Sequence, residues 1–228
     1  MEVNNIYNLK SNIISRWWKR YNVIINLRKI YNIIKNELTE DDLQELINKC
    51  NGIINKCKGD GAGLTSGILI DMLLCDFLRL KISKYNECHI GECDIKIDNI
   101  PLSVKKINGK SSIALDWSKN KDKDKKEHFK CDILIINLKT EKWWKNNPKI
   151  INTNIKITYN DIIPSGIYII DKQFCKYYIK LTNNNKTNTI IESQYLYLML
   201  KRSILLNLFI PFPFPNKIIE FNIMNVFL

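Results

Sequence analysis

The stretch IGECDIKIDNIPLSVKK, Ile90–Lys106, decides the fold. Apolar and polar residues alternate through Asp94–Asp98 and again through Ile100–Ile107, which is the period of a half-buried strand. Asp98 and Asn99 between them are turn residues, so the two runs are expected to pair as a hairpin. Alternation within IPLSVKK puts Leu102 and Val104 on one face and Ser103 and Lys105 on the other. Asp94 opens the partner strand and is expected near Lys105 on the polar face. Such a pair is either two solvated charges on an ordinary hairpin or part of a site acting on phosphodiesters. In the second case carboxylates hold Mg²⁺, which acidifies a water and offsets charge at phosphorus. The lysine orients the nucleophile or stabilises the transition state.

Upstream of the hairpin, GILIDMLLCDFLRLKI predicts a helix starting near Thr65 or Ser66, apolar nearly all round and therefore buried. Asp71 lies inside it, where a carboxylate needs a partner or a metal. The preceding KGDGAGLTSG is glycine-rich but lacks the lysine of a phosphate-binding G-x-x-x-x-G-K-[ST] loop, so it reads as a hinge. Further upstream, residues 1–60 read as a helical region. One stripe runs Ile13, Ile14, Trp17, Trp18, Tyr21, Ile24 and Ile25. A second runs Leu43, Leu46, Ile47, Cys50, Ile53, Ile54 and Cys57, opened by Thr39 as a cap followed by acids.

Downstream, CDILIINLK (Cys131–Lys139) is a continuous apolar run, expected to be a central strand covered on both faces. The segments IPSGIYIID and KYYIKLT suggest a later hairpin. A helix is expected over Ile190–Leu208, ended by the proline-rich IPFPFPN. The tail KIIEFNIMNVFL is apolar enough to be a last strand or to dock on the core. Residues 61–228 would then form the core domain with C-terminal DNA-recognition elements, expected to be continuous with the first 60. The class is α/β (α+β), a central mixed sheet flanked by helices with a helical N-terminal part.

The chain has 228 residues and a net charge of +12, nearly all of the excess from lysine. A positive field of that size favours a polyanion, and nucleic acid is the commonest. The abundance of Lys, Asn and Ile is also what an AT-rich genome supplies. Seven scattered cysteines form no disulfide framework. The first ten residues hold no apolar signal core and no run reaches a membrane span, so a cytoplasmic, reducing compartment is expected. Cys88, His89 and Cys93 lack a matching CxxC pair, so no zinc site is expected.

With Asp94, Lys105, Asp71 and CDILIINL in hand, the segment Gly63–Leu138 resembles the PD-(D/E)xK nuclease core of type II restriction endonucleases. The resemblance implies a restriction-endonuclease-like fold and Mg²⁺-dependent cleavage of double-stranded DNA. It makes Asp94 the first acid and a metal ligand, Lys105 the catalytic lysine and Asp71 the helical acid. Cys93 stands where proline is usual, and Ser103 replaces the middle acid of the acid-x-Lys triplet. Some enzymes of this fold carry Ser-x-Lys and recruit a carboxylate from elsewhere. Asp116 is the first candidate for that metal ligand, Asp71 the second and Glu92 a third. If none reaches Asp94, the chain binds nucleic acid without cutting it.

A second nuclease motif, GIY-YIG, is suggested by Gly166-Ile167-Tyr168 and Tyr178-Ile179-Lys180. Lysine stands in place of its last glycine, and the motif falls too late in the chain. For DNA contact, Lys119, Lys121 and Lys123 are expected on phosphates. Asn183, Asn184, Asn185, Lys186, Thr187 and Asn188 form a polar loop suited to base edges. A homodimer would match the two-fold symmetry of a palindromic site.

Overall fold

The structure, a computed structural model, describes residues 21–57, 62–88, 93–107, 113–114, 131–139, 163–172, 174, 190–191 and 193–213. Helix α1 runs through residues 21–37. Helix α2, Glu40–Lys56, begins with a capping box. Thr39 Oγ1 accepts from the Asp42 N–H, and the Asp42 carboxylate accepts from the Thr39 N–H. Helix α3 spans Ala62–Lys81, one turn earlier than its apolar run suggests. Then come β1 (Tyr85–Glu87), β2 (Ile95–Ile97), β3 (Ile100–Ile107), β4 (Ile113–Ala114), β5 (Asp132–Asn137), β6 (Gly166–Ile170), β7 (Ile190–Ile191), α4 (Ser193–Leu205) and β8 (Phe209–Pro211).

The hairpin is present. β2 and β3 are antiparallel with Ile95 opposite Leu102 and Ile97 opposite Ile100. Asp98 and Asn99 both take positive φ, 50° and 65°, as a two-residue type I′ turn requires. Asp98 ties the turn to helix α1 through Lys29 and to Lys84 at 3.6 Å.

The main sheet is six-stranded and mixed, in the order β1-β2-β3-β5-β6-β8. Strands β3 and β5 are parallel, so a crossover joins them; the other neighbours are antiparallel. Strand β5 is buried on both sides, as its unbroken apolar run requires. Leu134 and Ile136 pack with Leu102 and Val104 against α1, α2 and α3. Ile133 and Ile135 pack with Ile107 against Leu196, Tyr197, Met199 and Leu200 of α4. The chain is thus an open α/β sheet with helices on both faces, and α1 and α2 share one core with the sheet.

Three expectations need correction. Helix α3 is not buried all round, because Ile68, Leu69, Met72 and Leu80 are exposed; only one side meets the sheet. IPSGIYIID supplies β6, which pairs with β5 and β8 within the six-stranded sheet. The last helix is shorter than expected. Ile190 and Ile191 pair with β4 in a separate two-stranded sheet, and the helix ends at Leu205. Asn207 takes φ 55° in the turn that follows. Part of the proline-rich run then becomes β8, with Pro211 on the sheet edge, where a missing N–H costs no ladder bond. No helix among the described residues is long and apolar enough to cross a membrane.

Candidate functional site

At the open end of the β2–β3 hairpin the regular ladder stops at Ile95. The Asp94 N–H still donates to the Leu102 carbonyl at 3.0 Å. Its side chain then takes over as acceptor for the facing strand. The Val104 N–H donates to Asp94 Oδ2 at 2.6 Å, and Ser103 Oγ donates to the same oxygen at 3.2 Å. Lys105 Nζ lies 3.9 Å from that oxygen. One carboxylate oxygen is therefore held by a backbone donor, a hydroxyl and an ammonium. A hydrogen bond to a charged acceptor is worth about 1.5–3 kcal/mol, enough to fix one rotamer.

The exposures are asymmetric. Ser103 and Lys105 are buried, whereas the Asp94 side chain is 42% exposed. The lysine stem is thus held rigidly while the acid faces outward, where a ligand can reach it.

Asp71 belongs to the same electrostatic neighbourhood. Burial pushes its carboxyl up to about 7, and the negative charge of Asp94 adds to that rise; Lys105 and Lys106 oppose it. Its Oδ1 is buried and has no hydrogen-bond partner among the described residues. Lys106, on the opposite side of β3 from Lys105, donates from Nζ to Ser66 Oγ of α3 at 2.7 Å. A Cβ at Gly67 would lie in van der Waals contact with the Lys106 stem, 3.4 Å from Cε. Desolvation lowers the pKa of Lys106, and the charge of Asp71 counteracts that. Neither Ser66 nor Lys106 was singled out from the sequence. The only signal for them is the alternation that sends the second lysine of the pair toward the preceding helix.

Asp94, Ser103 and Lys105 therefore sit together, with Asp71 close enough to feel their charges. Asp116, Glu92, Lys119, Lys121, Lys123 and Asn183–Asn188 lie outside the described residues, as does KYYIKLT. Among the described residues no set of three or more His, Cys, Asp or Glu side chains is arranged to hold a metal ion. Two carboxylates suffice for Mg²⁺, which keeps several waters and commonly takes one or two carboxylates plus phosphate oxygens. The donors fit such a hard cation: Asp94 keeps a second oxygen, and Asp71 has a buried oxygen without a partner.

No family model matches the chain, and no match was found among curated proteins or solved structures.

Proposed function

We propose that the chain is a Mg²⁺-dependent endonuclease acting on double-stranded DNA, of the PD-(D/E)xK type and the type II restriction class. The observation that carries this reading is the anchoring of Asp94 beside Lys105 at the end of a hairpin, with Asp71 in electrostatic contact. Asp94 and Asp71 would hold Mg²⁺, which supplies an acidified water and offsets charge on the scissile phosphate. Lys105 would place a positive charge against a phosphate oxygen or the attacking water. Ser103 and the Val104 N–H keep Asp94 in its rotamer by holding Oδ2, so that Oδ1 faces the ligand. Asp71 takes the part left open where Ser103 replaces an acid; Asp116, the first candidate from the sequence, lies outside the described residues. The net charge of +12 suits a DNA partner, and a two-fold dimer would suit a palindromic site.

A second reading is a nucleic-acid-binding protein on a nuclease fold that has lost catalysis. Ser103 favours it, because a neutral hydroxyl occupies the usual place of a metal-binding acid. Incubating the purified chain with phage DNA and Mg²⁺ separates the two. Discrete fragments support a restriction enzyme and a smear supports a non-specific nuclease. Intact DNA of retarded mobility supports binding alone.

A further inference from the structure

Three buried cysteines, Cys88, Cys93 and Cys131, pack against one another beside the candidate site. Cys88 follows β1 and Cys93 precedes Asp94, so the first two lie in the connection that joins β1 to β2, beside the open end of the β2–β3 hairpin. The hairpin register, Glu87 opposite Ile95, brings Cys88 opposite Asp94 at the next step. The Cys88 and Cys93 thiols are in hydrogen-bonding contact, and Cys93 Sγ also donates to the Ile95 carbonyl at 3.1 Å. No disulfide joins them.

We propose that Cys88 and Cys93 are a disulfide-forming modification site, oxidised by a peroxide. One sulfur attacks a peroxide oxygen, giving a sulfenic acid and one water. The second thiol's sulfur then displaces that hydroxyl, forming the S–S bond and a second water. Two thiols are oxidised and one peroxide is reduced, with no other reactant. Both thiols are buried, so peroxide reaches them slowly and the reaction needs sustained exposure. Closing the bond brings the sulfurs to about 2.05 Å. That takes Cys93 from its bond to Ile95 and shifts the residue next to Asp94. The consequence for Asp94 rests on the nuclease reading; the bond itself does not.

The test treats the full chain with hydrogen peroxide, blocks remaining thiols, and cleaves after Glu87 and Glu92, which separates the two cysteines. Mass spectrometry without reductant is expected to find the Cys88 and Cys93 peptides linked, and the link is expected to persist in Cys131→Ser. Both cysteines recovered as blocked thiols, or Cys93 linked to Cys131, overturns the site. In the same samples, DNA cleavage is expected to fall at least tenfold on oxidation and to return with dithiothreitol. Cys88→Ser is expected to resist that loss. A linked pair with unchanged cleavage overturns the coupling to Asp94. A reduced chain that never cuts DNA sinks the nuclease reading, while the linked peptides still decide the site.

Discussion

Asp71 makes a claim that stability measurements can check without any DNA. Its carboxyl titrates at about 7 in the folded chain, against 3.8 for an ordinary aspartate, because burial disfavours the charged form. Between those values the folded protein holds a proton that the unfolded chain has released. Stability therefore falls as pH rises through that window. Asp71→Asn stays neutral throughout. Relative to wild type, it is expected to gain stability between pH 4.5 and pH 8, by about 2 kcal/mol and no more than about 4. Denaturant unfolding at the two pH values reads this directly; equal differences at both would mean that Asp71 ionises normally. Mg²⁺ should narrow the gap at pH 8, because only the wild type offers it the carboxylate. Ser103 is a second residue-level test. Ser103→Ala removes the longer of the two hydrogen bonds on Asp94 Oδ2 and should slow cleavage about tenfold, near 1.4 kcal/mol. A loss as large as that of Asp94 itself would give Ser103 a direct chemical role.

The β2–β3 hairpin was legible because every local signal agreed. Alternation set the faces, Asp98-Asn99 set the turn, and the register placed Asp94 against Ser103 and Lys105. The same agreement made β5 and the Thr39 cap readable. Helix α3 was harder, because an apolar stretch does not say which side stays in water; only the sheet selects Ile70, Leu74 and Leu78 over Leu69 and Met72. Strand β8 was hidden by its proline, which signals a helix end but is also tolerated on an edge strand. The distance between Asp71 and the hairpin acid depends on how α3 lies on the sheet, which no sequence spacing expresses. Two element-scale variants follow. Asn99→Gly should preserve or raise stability and Asn99→Val should lower it by about 1–2 kcal/mol, since positive φ is free for glycine, tolerated by asparagine and strained for a β-branched residue. Gly166→Ala should cost several times more than a surface change. Its Cβ would meet the Ile210 carbonyl oxygen and the Phe209 ring, prising β8 from the sheet. Thermal melts that leave Gly166→Ala unchanged would contradict the β6–β8 pairing.

At the scale of the whole molecule, the charge and the site make separate demands. An excess of 12 positive charges over one chain should bind DNA largely through phosphate contacts. Displacing about six counterions gives a log–log slope of affinity against salt near −5. A flat response would detach the basic composition from DNA binding. Phosphate contacts fix position without providing chemistry, so binding and cutting should be separable by mutation. Cutting should depend on the anchored carboxylate, whose replacement leaves the lysine-rich surface intact. The most direct test measures both properties on one preparation of Asp94→Asn, which keeps the side-chain shape and removes the charge. The variant is expected to bind duplex DNA with wild-type affinity and salt slope, yet to cleave it in Mg²⁺ at least a thousandfold more slowly. Cleavage by Asp94→Asn at the wild-type rate would contradict the assignment of this hairpin as the catalytic site.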